Sequence, residues 1–350
     1  MDTSSMKAVS MISSATADHN NILHWVEDLE RVVGVRTVLE SRAFKRLEHV
    51  SFLGALDYIA VNSKARKTPR TRAWHSKHVA ALANYVATKR NYDKDLKRHL
   101  IIAGLLHDIG HIPLSHSVEP YVKRSLGIGH HEIGEAIING DSALGDQLSK
   151  ALANMVDQKF LIQLLNGYAS QTVGGDLFSS PINIDTIDGI TRTYGYLAKP
   201  THNHNINVLN VASASFLDND ENPKKVLDQF WKTKHFVYAN LINSRLGLLA
   251  DNYSQYYFEK NETKVTELEL YEDELDWKKK YTVMFNELSQ IDHKSTLPTG
   301  FVGKSIEFQA REYLVDATQP GLKRYISKKE KQICKLSDFP MDKPAQALLV

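Results

Sequence analysis

The chain has 350 residues, with 43 basic and 41 acidic side chains and a net charge of +2, so no global field demands a nucleic-acid partner. Nothing in it reaches the roughly 18 consecutive apolar residues of a spanning helix. A single cysteine, Cys334, excludes an internal disulfide framework and fits a reducing compartment, so a cytoplasmic location without membrane contact is expected.

Met1 to Asn20 is rich in Ser and Ala and lacks a basic flank followed by an apolar stretch. Residues 1–20 are therefore expected as a flexible start with no targeting role. A stripe of Ile22, Trp25, Val26, Leu29 and Val33 begins the helical periodicity. After Gly54 comes a basic stretch, Lys64 to Arg70. From Arg72, the positions His75, Val79, Leu82, Ala83 and Val86 share one helical face. Leu96, Leu100, Ala103 and His107 repeat that pattern, and Gly110 with Pro113 stops the helix. Leu144, Leu148, Ala151, Leu152 and Met155 form another stripe, and Asp185, Asp188 and Arg192 fall on one helical surface.

Residues 196–221 read as an irregular, Asn-rich boundary, with His202 to Asn205 in a loop. Asn222-Pro223 then opens a helix running through Val226, Phe230, Tyr238, Leu241, Leu246 and Leu249. Beyond residue 260 the patterns weaken: Thr263 to Leu275 is strongly charged, and Thr296 to Gly303 is turn-like. The basic tail, Lys323 to Lys335, reads as a solvated face. There is no internal repeat. The expectation is an all-α fold with a catalytic helical domain over 21–200 and a mainly helical C-terminal extension over 201–350.

Chemistry concentrates in Ala103-Gly104-Leu105-Leu106-His107-Asp108-Ile109-Gly110-His111. An adjacent His and Asp at the broken end of an apolar helix can both turn toward one cation. A catalytic divalent ion needs further protein donors and an open position for water. His75 and Asp185, in separate helices, supply the types required. Each has a bland alternative: alone, His75 is a core histidine, Asp185 a helix N-terminal charge, Glu119 before Pro120 a turn residue, and His131-Glu132 a solvated helix start. The run His107 to His111 also imitates the His-Glu-x-x-His pattern of zinc proteases. That pattern needs an unbroken helix, which Gly110 and Pro113 deny.

One His, a His-Asp pair and a later Asp, in this order, resemble the HD-domain metal-dependent phosphohydrolases. The likeness is to the deoxynucleoside triphosphate triphosphohydrolase branch. Ser41 to Leu47 with Phe52-Leu53-Gly54 is similar to the helix before that branch's first ligand, and Arg72 to Ser76 to its Arg-x-x-His-Ser segment. His107 to Glu119 follows its His-Asp-x-Gly-His-x-Pro-x-Ser-His run. His131-Glu132, and Asp185 with Asp188 and Arg192, resemble the later motifs, so the likeness spans roughly residues 35 to 195.

The resemblance implies an HD-type helical bundle and one divalent metal held by His75, His107, Asp108 and Asp185. Imidazole and carboxylate donors suit Mn, Fe, Ni, Zn or Mg. Such a cation lowers the pKa of its water from about 15.7 toward neutrality and polarises a phosphoryl oxygen. His131 is implied as the acid assisting the leaving oxygen, Glu119 as the carboxylate that orients it, and His111 as a further catalytic group. Arg72, His116, Arg192, Leu53 and Asp188 are implied around the substrate. The implied reaction splits a deoxynucleoside triphosphate into nucleoside and triphosphate.

Three departures bear on the substrate. Gly189 stands where the branch has a nucleotide-packing Tyr, Phe52 where it has a sugar-reading Gln, and the basic stretch Lys64 to Arg70 is longer than the branch leads one to expect. A nuclease or phosphodiesterase acting on oligonucleotides or cyclic nucleotides is the alternative enzyme, with single-stranded nucleic acid as partner. A non-catalytic nucleotide sensor is the alternative outside enzymes. Homo-oligomerisation is left open.

Overall fold

The computed structural model describes residues 21–59, 70–197, 206–217, 222–260, 264–291, 301 and 305–335. Most of the basic stretch at 64–70, the loop at 202–205, the first twenty residues and nearly all of 296–303 lie outside these. The fold is helical, as the periodicities indicate, with one two-stranded sheet near the C-terminal end.

Three short helices lead in: α1 (Ile22–Asp28), α2 (Val35–Glu40) and α3 (Arg42–Arg46). Asn21 caps α1 and Ser41 caps α3, each accepting a first-turn amide. Val33 departs from the stripe proposed for it and is 72% exposed, because α1 ends at Asp28 and gives way to a 3-10 turn. The long central pair is α4 (Arg72–Lys89), capped by Thr71, and α5 (Lys94–Leu106), capped by Asp93. They approach closely because a glycine of α5 lies against the backbone of Ala80 and Val79 in α4. A Cβ on Gly104 would stand 2.8 Å from Ala80 Cα.

The turn after α5 leads to α6 (Glu119–Leu126) and α7 (His130–Asn139). Glu119 starts a helix, with Pro120 in its first turn, rather than occupying a turn. The helices α8 (Gly145–Ala153), α9 (Gln158–Leu165), α10 (Asp176–Ser179) and α11 (Ile184–Leu197) complete the bundle.

The stretch read as an irregular boundary holds a helix, α12 (Val208–Phe216), which Asn207 caps. The single helix expected after Asn222 is two: α13 (Pro223–Val237) and α14 (Arg245–Lys260), separated by a π turn at Tyr238–Ile242. Ser244 recaps the chain by accepting the Gly247 amide, and Gly247 is small enough to pass the Leu241 carbonyl. The charged segment after residue 263 contains α15 (Glu274–Lys280) and α16 (Thr282–Gln290).

Strands β1 (Ser305–Val315) and β2 (Tyr325–Lys335) pair antiparallel, from Ser305 opposite Lys335 to Val315 opposite Tyr325. The basic tail expected as a solvated face has exposed lysines, with Arg324 buried, but it also forms the second strand of this hairpin. Periodicity hid it because β2 is exposed over most of its length, and only Tyr325 is buried in it. Its anchor is Trp231 of α13, whose ring meets Tyr313 and Tyr325 at 5.3 and 5.4 Å between centroids.

Gly110 fixes the position of α7. A Cβ there would fall 2.0 Å from the His130 carbonyl oxygen and 2.3 Å from the Gly134 nitrogen. Since the obstructing atoms are backbone, Gly110→Ala is expected to destabilise the protein by about 1–3 kcal/mol. Thermal unfolding of the variant with an unchanged midpoint would contradict this packing.

Candidate metal and phosphoryl site

His75 lies one turn into α4 and is fully buried. Its Nδ1 is 2.6 Å from Asp188 Oδ2, so the ring donates there and turns the Nε2 lone pair inward. His107 follows the last residue of α5, and its Nδ1 donates to the Gly104 carbonyl at 2.8 Å. The two bare Nε2 atoms therefore face each other at 3.2 Å. Lone pairs so placed repel unless a proton or a cation lies between them.

Two carboxylates converge on the same point. Asp185, in the first turn of α11, has Oδ1 3.0 Å from His75 Nε2 and 3.7 Å from His107 Nε2. Asp108 lies with Oδ1 3.5 Å from His107 Nε2 and Oδ2 3.7 Å from His75 Nε2. Two neutral imidazoles and two carboxylates from three segments fit a divalent cation, and the opposed lone pairs are the particular feature that one would relieve. In metal-free protein, burial opposes a charged His107, but Asp108 and Asp185 outweigh it and raise its pKa to about 9. Burial also opposes ionised Asp108, yet His107, Arg72 and His111 hold its pKa well below the usual range.

Neighbouring groups fix these four. Asp188 accepts two bonds from Arg192, at 2.9 and 3.0 Å, besides its bond to His75. Arg72 donates to Asp108 Oδ2 at 2.8 Å and to Ser115 Oγ at 3.1 Å. The Phe52 ring packs against His75, with centroids 4.7 Å apart, and the guanidiniums of Arg72 and Arg192 lie 5.1 and 5.7 Å from its centre. A Cβ on Gly189 would meet Phe52 at 3.8 Å and both Asp185 and His75 at 3.9 Å. Phe52 thus borders the ground that a larger residue at 189 would claim.

Beside the quartet opens a cavity of about 400 Å³. Its far wall is a group of histidines around one carboxylate. Glu119 Oε1 lies 2.6 Å from His130 Nδ1, and its Oε2 lies 3.1 Å from His116 Nδ1. Burial pushes the Glu119 pKa up, but His116 and His130 outweigh it and hold the carboxyl ionised far below the usual range. His111 stacks on His130, with centroids 4.3 Å apart and planes within 9°, and places Nε2 3.2 Å from Asp108 Oδ1. Burial and the Arg72 charge keep His111 well below its ordinary pKa, so it is a neutral group and not a cationic phosphate clamp.

Nitrogens of His111, His116 and His130 lie close enough together to suggest a second cation. The stacked rings argue otherwise. A metal must sit near the plane of each imidazole it binds, and one ion cannot be in the planes of two parallel stacked rings. The Nδ1 atoms of His116 and His130 are also committed to Glu119. This wall is suited to moving protons.

The residues expected around the substrate divide. Arg72, His111, His116 and His131 line the cavity together with His107, Asp108 and Asp185. Arg192 and Asp188 instead line a separate cavity with Trp74 and His78, and the Leu53 amide is bonded to Asp57. Glu119 bonds His130 rather than the His131 implied by the resemblance, because His130 is the first residue of α7 and Glu119 also accepts its backbone amide, at 3.1 Å. His130 was legible only as one of two adjacent histidines. An apolar side formed by Leu106, Ile138, Ile162, Leu165 and Phe178 had no signal beyond core periodicity.

The HD domain family matches residues 72–161, so the chain contains an HD domain that includes His75, His107, Asp108 and the histidine wall. Uncharacterized proteins of Mycoplasma pneumoniae and Methanocaldococcus jannaschii are 28% and 29% identical to it. Each match covers 44% of this chain, and 37% and 29% of those proteins respectively. An uncharacterized protein of Mycoplasma genitalium is 27% identical over 40% of the chain and 35% of its own length. The chain thus spans about a third of the length of these curated relatives. Among the described residues, no helix is long and apolar enough to cross a membrane.

The raised His107 pKa has a sign that can be tested. In metal-free protein its proton stabilises the fold fully below the unfolded value of about 6.5, and that contribution disappears as pH rises through about 9. A cation needs the same nitrogen bare. Its dissociation constant should therefore fall as pH rises from 6 and level off above about 9. Calorimetric titration giving a pH-independent constant and no proton release would contradict this.

Proposed function

We propose that this chain is a metal-dependent phosphohydrolase acting on a nucleotide, with His75, His107, Asp108 and Asp185 as the metal ligands. The observation that carries this reading is the pair of opposed Nε2 atoms, 3.2 Å apart, beside a cavity whose other side is lined by His130, which Glu119 holds through Nδ1. A divalent cation bound by the quartet would lower the pKa of water and polarise a phosphoryl oxygen.

The protein groups supply the rest. Arg72 carries positive charge at the cavity wall and orients Asp108. Glu119 holds Nδ1 of His130, so that His130 Nε2 can present a proton toward the cavity. In hydrolysis water adds to phosphorus, the ester P–O bond breaks, and the leaving oxygen takes that proton. Glu119 steadies the imidazolium before transfer, and His131, at the same wall, completes the surround. The apolar side formed by Ile138, Ile162, Leu165 and Phe178 offers a surface for a base.

Within this class, cleavage of a deoxynucleoside triphosphate to nucleoside and triphosphate remains the leading reaction, supported by the run His107 to Glu119. Gly189, which removes a nucleotide-packing Tyr, and the basic stretch Lys64 to Arg70 favour a second reading, hydrolysis of an oligonucleotide or cyclic nucleotide, and Phe52 supplies no hydrogen bond to a sugar hydroxyl. A cytoplasmic enzyme with a catalytic domain at 21–200 and an extension at 201–350 accompanies the proposal.

Metal-supplemented protein incubated with nucleoside triphosphates, cyclic nucleotides and short single strands, followed by product identification, tests it. Release of triphosphate supports the leading reaction, and mononucleotides from strands support the second. Asp108→Ala should lower turnover by at least ~10³-fold, since several kcal/mol of transition-state stabilisation is lost. His130→Ala should cost about 10²–10⁴-fold with an alkoxide leaving group, and much less with a p-nitrophenyl ester, which departs without a proton. Binding of nucleotides with no product from any of them would leave a sensor instead.

A further inference from the structure

A carboxylate far along the chain, in a segment outside the HD match, is buried against the turn that follows Asp108. Glu274, the first residue of α15, is 2% exposed and pairs with no cation among the described residues. Its Oε1 accepts the Ser51 amide at 2.9 Å, the Ser51 hydroxyl at 2.7 Å and the Leu114 amide at 2.8 Å, while Tyr58 donates its hydroxyl to Oε2. Burial raises the Glu274 pKa against the lowering pull of its donors from Tyr58, Ser51 and Leu114, and a carboxyl group that accepts four hydrogen bonds ties these three residues to one point.

What it holds is strained. Leu114 and Ser115 have φ of 60° and 47°, the left-handed region that side-chain-bearing residues avoid. From there a short chain of contacts reaches the quartet. Ser115 Oγ donates to the Ser51 carbonyl at 2.8 Å and accepts from Arg72 Nε at 3.1 Å, and Arg72 grips Asp108 at 2.8 Å. A second arm lies alongside. The buried Arg46 guanidinium donates to Ile109 O at 2.7 Å, and to Leu270 O and Glu272 O at 3.3 Å each, tying the turn after Asp108 to the segment that leads into Glu274.

We propose that Glu274 is a positioning residue for the metal centre: by holding the Leu114–Ser115 turn it presents Ser115 to Arg72 and so fixes the carboxylate of Asp108. This makes the C-terminal extension part of the site. The inference rests on the quartet being a metal site, and the test separates the two.

The probe is Co²⁺ alone, titrated into the metal-free full-length protein and followed by its visible absorption. Glu274→Ala should weaken binding by about 10- to 100-fold, the range seen when a partner of a metal ligand is removed, and should alter the Co²⁺ band shape. Glu274→Gln, which keeps an acceptor oxygen, should recover most of the affinity. Glu269→Gln is the control: Glu269 is equally buried in the same segment, but it bonds Thr266, Lys280 and Tyr281 and no residue of the 109–117 turn. It should bind Co²⁺ as the unaltered protein does. If Glu274→Ala does not fold, Ser115→Ala breaks the next link and should weaken binding in the same way.

Unchanged affinity in a folded Glu274→Ala or Ser115→Ala overturns the proposal. So does equal weakening by Glu269→Gln, or failure of Gln to rescue. Absence of stoichiometric Co²⁺ binding by the unaltered protein would instead sink the metal reading itself.

Discussion

The close approach of α4 and α5 is the constraint on which the site depends. Gly104 lies against the backbone of Ala80, and no larger residue fits there without moving one helix. That contact sets the distance between His75 and His107, which come from different helices yet bring bare nitrogens to 3.2 Å. Hydrogen bonds to Asp188 and to Gly104 O prevent either ring from escaping by a flip. Packing thus creates an electrostatic problem that a proton or a cation resolves, and Asp108 and Asp185 bias the resolution toward positive charge.

The helical class and the central motif were legible because they rest on short-range regularities. His75 shares a face with Val79 and Val86, and α5 ends at Leu106, ahead of Gly110 and Pro113, where the His-Asp pair turns out of the helix. The partner of Glu119 was not legible in the same way. Two adjacent histidines carry no mark of which one meets a carboxylate, and only the start of α7 at His130 decides it. Arg192 illustrates the opposite error: its helical spacing from Asp188 was correct, but that spacing lets the two side chains satisfy each other, which turns Arg192 away from the cavity.

The C-terminal third was the least legible part. The hairpin lacks clean alternation because β2 covers little of the core and carries the charged run Lys328-Lys329-Glu330-Lys331. Its attachment rests on aromatic contacts with Trp231 from a distant helix. Glu274 likewise sits in a charged stretch where a carboxylate is unremarkable by sequence. Its role depends on donors from residues 51, 58 and 114, and such long-range satisfaction leaves no local periodicity.

The contact between Gly110 and α7 is made by peptide groups, with no side chain interposed. The span from the His-Asp quartet to the histidine wall is therefore a fixed ruler. Side-chain replacement along either edge changes what the cavity presents but not the distance between its two sides, so variants of this scaffold would diversify by chemistry at constant reach.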